Sequence, residues 1–466
     1  MSRHPHAHRA RLLALAAAFA ASPALAGEKE LQAQIEELAR RLESLQRQMA
    51  EQKAEQKAAA AAAPAAAAAP AAPAATSASS GPGNFKLTLS GNIDAAVGHQ
   101  GNVAGAAAAS RGGTSKFFNG GMAPTNLAVT GSTELGEGLT ALFKVDTEFL
   151  TSSGANMLPV SGQIAPSSYN GANGNSVLFN RAAYVGLGSR YGTLTLGRQQ
   201  TVAVDAVVKV EPSNYTNFFM SSVYGAYNLG NAIYGQALVN TATGRYSAGV
   251  SGNLDSRDNA MIKYVSPSLG GARIVAGYSP GGVAGGDSQG TKAAVGASYD
   301  YGNFSIGGSY TEWNPMDVVT NRDVKYRLHN LGVGYRFGPL SVRAAMGHTA
   351  LPAVTLKDSG NNNVAYSAAD ASVKGIGATY AVTPSVDVTA AYYVKRYDIA
   401  SGNKPRVDTL GLAATWQLYK NTKLYALFDH ASSRGDNGAA QTLGGNGSAN
   451  AFAVGFSHAF SADMLR

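Results

Sequence analysis

The amino-acid sequence predicts an all-β fold, a transmembrane antiparallel β-barrel of 16 strands preceded by a short α-helical coiled coil. Three observations lead there. The chain of 466 residues is 45% hydrophobic yet only 14% charged, against roughly a quarter charged in soluble domains. It contains no run long and apolar enough to cross a bilayer as a helix, which takes about 18 residues or more. Its body instead alternates apolar and small or polar residues, punctuated in turn by short turns and long polar connections. A closed barrel is the other structure that satisfies every backbone hydrogen bond inside lipid. Cysteine is absent, which removes disulfides, thiolate metal sites and cysteine nucleophiles together.

The chain opens with an address. Arg3, Arg9 and Arg11 form a basic start, Leu12–Ala21 an apolar run, and Ala24-Leu25-Ala26 closes it. This is the pattern of a secretory signal peptide over residues 1–26. Those arginines carry part of the formal charge of +8; the rest is dispersed, without the basic block that would bind nucleic acid.

Residues 27–57 change texture. Leu31, Ile35, Leu38, Leu42, Leu45 and Met49 fall at heptad spacing, with Ile35, Leu42 and Met49 at a and the leucines at d. So narrow an apolar stripe has nothing of its own to bury against, so it predicts self-association in two or three strands. Three heptads are marginal alone, so other contacts hold the oligomer first. Residues 58–84, nearly all Ala with Pro64, Pro70, Pro73 and Pro82, read as a linker, because proline breaks a continuous helix.

From Phe85 to Phe460 the alternation sets the barrel. Lys86–Ser90 opens it, and Phe452, Val454, Phe456, His458 and Phe460 close it, with Ala, Gly and Ser between. One face therefore meets apolar surroundings and the other water or small packed groups. Leu139, Ala141, Phe143 and Val145 trace the outward face of one strand; Leu410, Leu412, Ala414, Trp416 and Leu418 trace another. Short turns stand at 136–138, 188–190, 267–271, 302–303, 338–339, 383–385 and 420–421. Long connections rich in Gly, Ala, Asn and Ser centre near 110, 162, 220, 284, 318, 360, 402 and 440. Together they separate 16 strands, with the short turns on the periplasmic side. Residues 461–466 read as an extension past the last aromatic strand residue.

Specific stretches then carry a resemblance. They are Leu178-Phe179-Asn180-Arg181 with Tyr184-Val185-Gly186-Leu187; Gly192–Gln199; Lys263–Gly271; and Asn421-Thr422-Lys423-Leu424-Tyr425. From about Phe85 to Phe460 the chain resembles the Gram-negative general porin family, in the form common in β-proteobacteria. The resemblance implies a homotrimer of barrels in the cell outer membrane, each with its own water-filled pore. It also implies that the third long loop, residues 199–244, folds inward and narrows the channel. That loop carries Asp205, Lys209 and Glu211; Arg181 matches the family's wall arginine and Arg198 the arginine at the loop's base. Arg257, Lys263 and Lys144 fall on the inward phase of their strands if alternation holds, completing a basic wall opposite the acidic loop. The chain departs from the family at Asn92 and Asn126, where Lys and Arg are usual, which weakens the transverse field. The loop is instead aromatic, with Tyr215, Phe218, Phe219, Tyr224, Tyr227 and Tyr234. The coil resembles those of some sugar-specific and substrate-selective porins.

Little points to catalysis. His99, His329, His348, His430 and His458 are scattered singly, without metal-ligand spacing, and no nucleophile motif surrounds any serine. No enzyme, metal or other cofactor is expected. The expected function is passive diffusion of small hydrophilic solutes and ions, with outer-membrane lipid and lipopolysaccharide as surroundings. The alternatives are a channel selective for a sugar or small carboxylate, or a tether to peptidoglycan through the coil.

Overall fold

The structure, a computed structural model, describes residues 85–104, 111–154, 178–214, 239–240, 257–281, 288, 290–314, 316–317, 319–357, 363–367, 369–399, 404, 406–434 and 447–465. The signal peptide, the coil residues Leu31 to Met49, the Ala/Pro linker and the aromatic stretch 215–238 lie outside the described residues.

Sixteen strands close on themselves. They are β1 Lys86–Ala104, β2 in two segments Arg111–Asn119 and Asn126–Gly136, β3 Leu139–Glu148, β4 Ala182–Ser189, β5 Gly192–Gln200, β6 Arg257–Val265, β7 Ala272–Ser279 and β8 Lys292–Tyr301. There follow β9 Phe304–Trp313, β10 Tyr326–Phe337, β11 Leu340–Leu351, β12 Ala369–Thr383, β13 Val386–Ile399, β14 Arg406–Tyr419, β15 Thr422–Arg434 and β16 Gly447–Leu465. Each pairs antiparallel with its successor. The last pairs with the first, from Gln100↔Ala451 down to Leu87↔Leu465. The count and the alternation of short and long connections agree with the sequence reading.

The wall sorts its side chains by parity. In β14, Val407, Thr409, Gly411 and Ala413 are buried while Leu410, Leu412 and Trp416 are exposed. Leu331, Val333, Met346, Ile376, Val454 and Phe456 extend the exposed apolar face to other strands. An apolar outer face and a polar inner one suit a barrel whose exterior solvent is lipid. Tight turns join strands at one end, and Gly302 (φ 56°) and Gly338 (φ 59°) take the left-handed backbone that such turns need.

Two departures from regular pairing matter. β2 breaks at residues 120–125 because the chain wraps the buried Asp94: Met122 and Ala123 N–H donate to its Oδ2 (3.2 and 3.0 Å), and Thr125 bonds its backbone in both directions at 2.9 Å. Tyr425 hydroxyl also donates to Asp94, which ties β15 to the break. At the other terminus, Ser461–Leu465 do not trail away from Phe460. They continue β16, opposite Ser90, Leu89, Thr88 and Leu87.

At the end bearing the long connections, a hairpin Val354–Lys357 with Asn363–Ser367 pairs through Tyr366↔Asn240 with the distal part of the third loop. Thus two long loops share one small sheet.

Candidate functional site: the lumen and its inward loop

The chain leaves β5 at Gln200 and turns along the inner wall. Thr201 caps the turn, its side chain accepting from the Val204 N–H at 3.4 Å. Helix α1 (Val202–Val207) and a 3-10 turn (Val208–Val210) follow. Six residues are too few for a helix to stand alone. Here it is held by burial: Val202, Ala203, Val204, Ala206, Val207 and Val210 are all buried.

Glycines in the wall make room for it. A Cβ on Gly307 in β9 would stand 2.0 Å from the Ala206 carbonyl oxygen, and one on Gly332 in β10 2.6 Å from Val210 Cγ2. A Cβ on Gly377 in β12 would stand 2.0 Å from the Pro212 carbonyl oxygen. The loop therefore crosses the wall from β7 to β12 at backbone-to-backbone distance. The segment ends on a latch, where the buried Glu211 accepts from the Ser213 N–H (2.9 Å), the Ser213 hydroxyl and the Tyr393 hydroxyl of β13. These wall glycines and Tyr393 escape a sequence reading, because a glycine that admits a remote loop looks like any other strand glycine.

The charged residues fall into three groups. Asp205 projects from α1 toward β6, where Lys263 Nζ donates to its Oδ2 at 2.7 Å and to the Gln200 carbonyl at 2.9 Å. Burial pushes the Asp205 carboxyl above its ordinary value, while Lys263, Arg257 and Arg273 pull it back. Arg257 reaches this group although alternation does not hold through β6. Ala260 adopts φ 49°, the register with β5 shifts there, and Asp258 and Met261 are both buried. Asp258 pairs with Lys292 of β8.

A second group gathers Lys144 and Arg181. Lys144 lies 3.2 Å from Asp146, and Arg181 lies 3.4 Å from Asp146 and 2.8 Å from Glu148. Asn126 donates to the same Asp146 at 2.8 Å. The wall arginine is thus neutralised by two acids of β3, and Asn126 serves the carboxylate where a cation would add charge. Asn92 bonds the Pro124 carbonyl (3.2 Å) and Ser457 (3.0 Å).

The third group lies farther along the loop. Lys209 pairs with Asp300 of β8, and the Lys209 carbonyl accepts from Arg343 of β11 at 3.2 Å. Glu211 is spent on its latch. Arg198 is structural in its contacts, donating to the Asn180 carbonyl (2.7 Å) and to Asn259.

So Asp205, Lys263 and Arg257 come together, as do Lys144 and Arg181, whereas Lys209, Glu211 and Arg198 stand apart. Sequence reasoning missed Asp146, Glu148, Arg273 and Arg343. The inward parity shared by Lys144 and Asp146 was the available signal for the first of these. Arg273 and Arg343 take part in no ion pair among the described residues. No group of three or more potential metal ligands occurs among the described residues.

A closed barrel with an apolar exterior, a charged lumen and a loop laid inside it defines a transmembrane channel. The model of the Gram-negative porins matches residues 58–436, and the chain belongs to that family. Among solved structures, it is similar to the anion-selective porin of Comamonas acidovorans, at 20% identity and TM-score 0.58, over 81% of this chain and all of that one. It is also similar to OmpF of Salmonella typhi, at 15% identity and TM-score 0.51, over 81% of this chain and 98% of that one. The trimer form of OmpT, an outer membrane protein of Vibrio cholerae, aligns at 14% identity and TM-score 0.50, over 81% and 100%. A search of curated proteins finds no match. At such identities the likeness establishes the shared barrel fold, and the family places the chain in the Gram-negative outer membrane.

Proposed function

We propose that this porin conducts small hydrophilic solutes and ions passively, with a mild preference for anions. One observation carries the preference. Lys144, Arg181, Lys209, Lys263 and Lys292 are paired with acids, while Arg273 and Arg343, both beside the loop's first turns, form no ion pair among the described residues. Paired charges bias passage weakly, and unpaired ones of a single sign bias it toward the opposite ion.

The assembly belongs to the same proposal. A signal peptide over residues 1–26 exports the chain, a coil over residues 27–57 self-associates in the periplasm, and the barrels assemble as a homotrimer. The heptads support the self-association, and the trimeric OmpT form is compatible with it.

The test is single-channel recording of the purified protein in planar bilayers under a salt gradient. Large ohmic steps in groups of three, with a reversal potential displaced slightly toward the anion, are expected. A cation-directed reversal potential would overturn the preference, and blockade by one class of solute would replace the general channel with a selective one.

A further inference from the structure

Two histidines that stand 19 residues apart in sequence meet on the barrel wall. β10 places His329 directly opposite His348 of β11, toward the end that bears the long connections. Both take the outward parity, in line with the exposed Leu331 and Met346. His329 is exposed, and the His348 side chain is 40% exposed, so ions in solution reach both. His329 Nε2 stands 3.2 Å from His348 Nδ1. The two rings lie nearly parallel, 13° apart with centroids at 5.2 Å. On the β9 side Tyr310 stacks against His329 at 6.1 Å and steadies its ring.

This spacing is what one metal ion asks of two imidazoles. Nitrogens roughly 2.0–2.1 Å from an ion stand about 2.8 Å apart at a right angle and about 3.4 Å apart at a tetrahedral one. As the pair stands, one nitrogen donates a proton and the other accepts it. An ion in the place of that proton needs only small rotations of the rings. The far nitrogen of His348 decides which side of the ring is bare. Asp370 Oδ1 of β12 lies 3.4 Å from His348 Nε2. A carboxylate there favours the tautomer protonated at Nε2 and leaves Nδ1 bare toward His329. Such a carboxylate behind a ligating imidazole fixes the ring and raises its basicity. The nearest cations leave room for an ion. Arg327, on the same face of β10, lies 3.6 Å from Glu312, and Arg396 stands two strands beyond His348.

We propose that His329 and His348 form a two-nitrogen site for a divalent ion of the late first-row transition metals, with Asp370 positioning His348 and water filling the open positions. Imidazole suits copper, nickel and zinc, whereas magnesium and calcium take oxygen ligands. Bound there, the ion staples β10 to β11. Sequence spacing hides the pair, because cross-strand register and not nearness in the chain brings the ligands together.

Copper(II) is the probe, since it binds nitrogen sites most tightly among these ions. It is titrated into the purified protein, taken from the outer membrane in detergent, with electron paramagnetic resonance as the readout. The tightest site of wild type should show coupling to two imidazole nitrogens, and a large excess of Mg2+ should not displace the copper. His329→Asn and His348→Asn should each lose the two-nitrogen signal and bind more weakly by about tenfold or more. Asp370→Asn should keep that signal while binding weakens by about 10–100-fold. His430→Asn, at another outward histidine, should bind like wild type. A one-nitrogen spectrum in wild type, displacement by Mg2+, or unchanged binding in the single histidine variants overturns the proposal. Unchanged affinity in Asp370→Asn overturns the role given to Asp370. These side chains face away from the lumen, so unit conductance without metal should match wild type in every variant. Channel recording thus shows which variants are folded, and either single histidine variant decides the matter alone.

Discussion

At Asp205 two opposing influences meet on one carboxylate at the start of the inward loop. Burial raises its pKa above the ordinary 3.8, and the Lys263 ammonium at 2.7 Å opposes the rise without cancelling it. A raised pKa means that the group takes up its proton at a higher pH than an exposed aspartate would. As pH falls through that value the carboxylate becomes neutral and Lys263, Arg257 and Arg273 lose their common counter-charge. The lumen then gains net positive charge, so anion preference should grow on acidification, beginning above the range of ordinary aspartates. Asp205→Asn should show the strengthened preference already at neutral pH and lose this component of the pH response. Reversal potentials across a pH series check both parts, and a variant that keeps the wild-type profile would assign the response to another acid. Part of this site was legible in the sequence. The family resemblance singles out Asp205 as a loop acid, and strand alternation puts Lys263 on the inward phase, but neither reading pairs the two. Glu211 was marked too, but its 1% exposure and its bonds to Ser213 and Tyr393 make it an anchor. A sequence separation of 182 residues between Tyr393 and Glu211 hides such a partnership completely.

The loop as an element is stabilised by the wall it lies on. Its Val- and Ala-rich turns bury all but Asp205, Val208 and Lys209, and its helix is too short to persist in water. Strand glycines at its crossing points turn a weak helix into a fixed one, because backbone can approach backbone where no Cβ intervenes. Gly307 is the tightest of these on β9, with the Ala206 carbonyl oxygen only 2.0 Å from where a Cβ would be. Gly307→Val should therefore displace α1 from the wall toward the lumen axis at a cost of about 1–3 kcal/mol, the usual range for overpacking. The expected readings are a lower unit conductance and a lower unfolding temperature, with the barrel still formed. The control is Gly112→Ala in the first segment of β2, where an added Cβ meets nothing; it should leave both readings alone. If Gly307→Val conducts like wild type, the glycines are incidental to the loop. The inward loop was legible only through the family resemblance, since nothing in its own residues distinguishes a loop that folds in from one that stands out.

For the whole molecule, the strand count was readable because connections announce themselves. Turn residues stand at one end of each hairpin and long polar stretches at the other, so counting connections counts strands. The strand ends were less readable, as the C-terminus illustrates. Ser461-Ala462-Asp463-Met464-Leu465 continues no aromatic pattern and reads as an extension past Phe460; it occupies the seam where the barrel closes. Its backbone pairs with β1 from Ser90 to Leu87, and Thr88 hydroxyl donates to Asp463 at 3.0 Å. What the sequence lacks there is side-chain alternation; what the structure supplies is a partner strand, whose backbone hydrogen bonds keep the chain extended. The seam above remains intact without it, because Gly91↔Phe460 through Gln100↔Ala451 still pair. On the other side, Lys86–Ser90 keep their pairing with β2. Removing residues 461–466 should thus leave a closed, conducting barrel that ends at Phe460, with β1 frayed at its start. The unfolding temperature should fall while unit conductance stays the same. Heat-modified electrophoretic migration and bilayer recording measure the two effects separately. A truncated chain that assembles poorly yet melts like wild type once assembled would mean that these residues act during insertion, not in the finished seam.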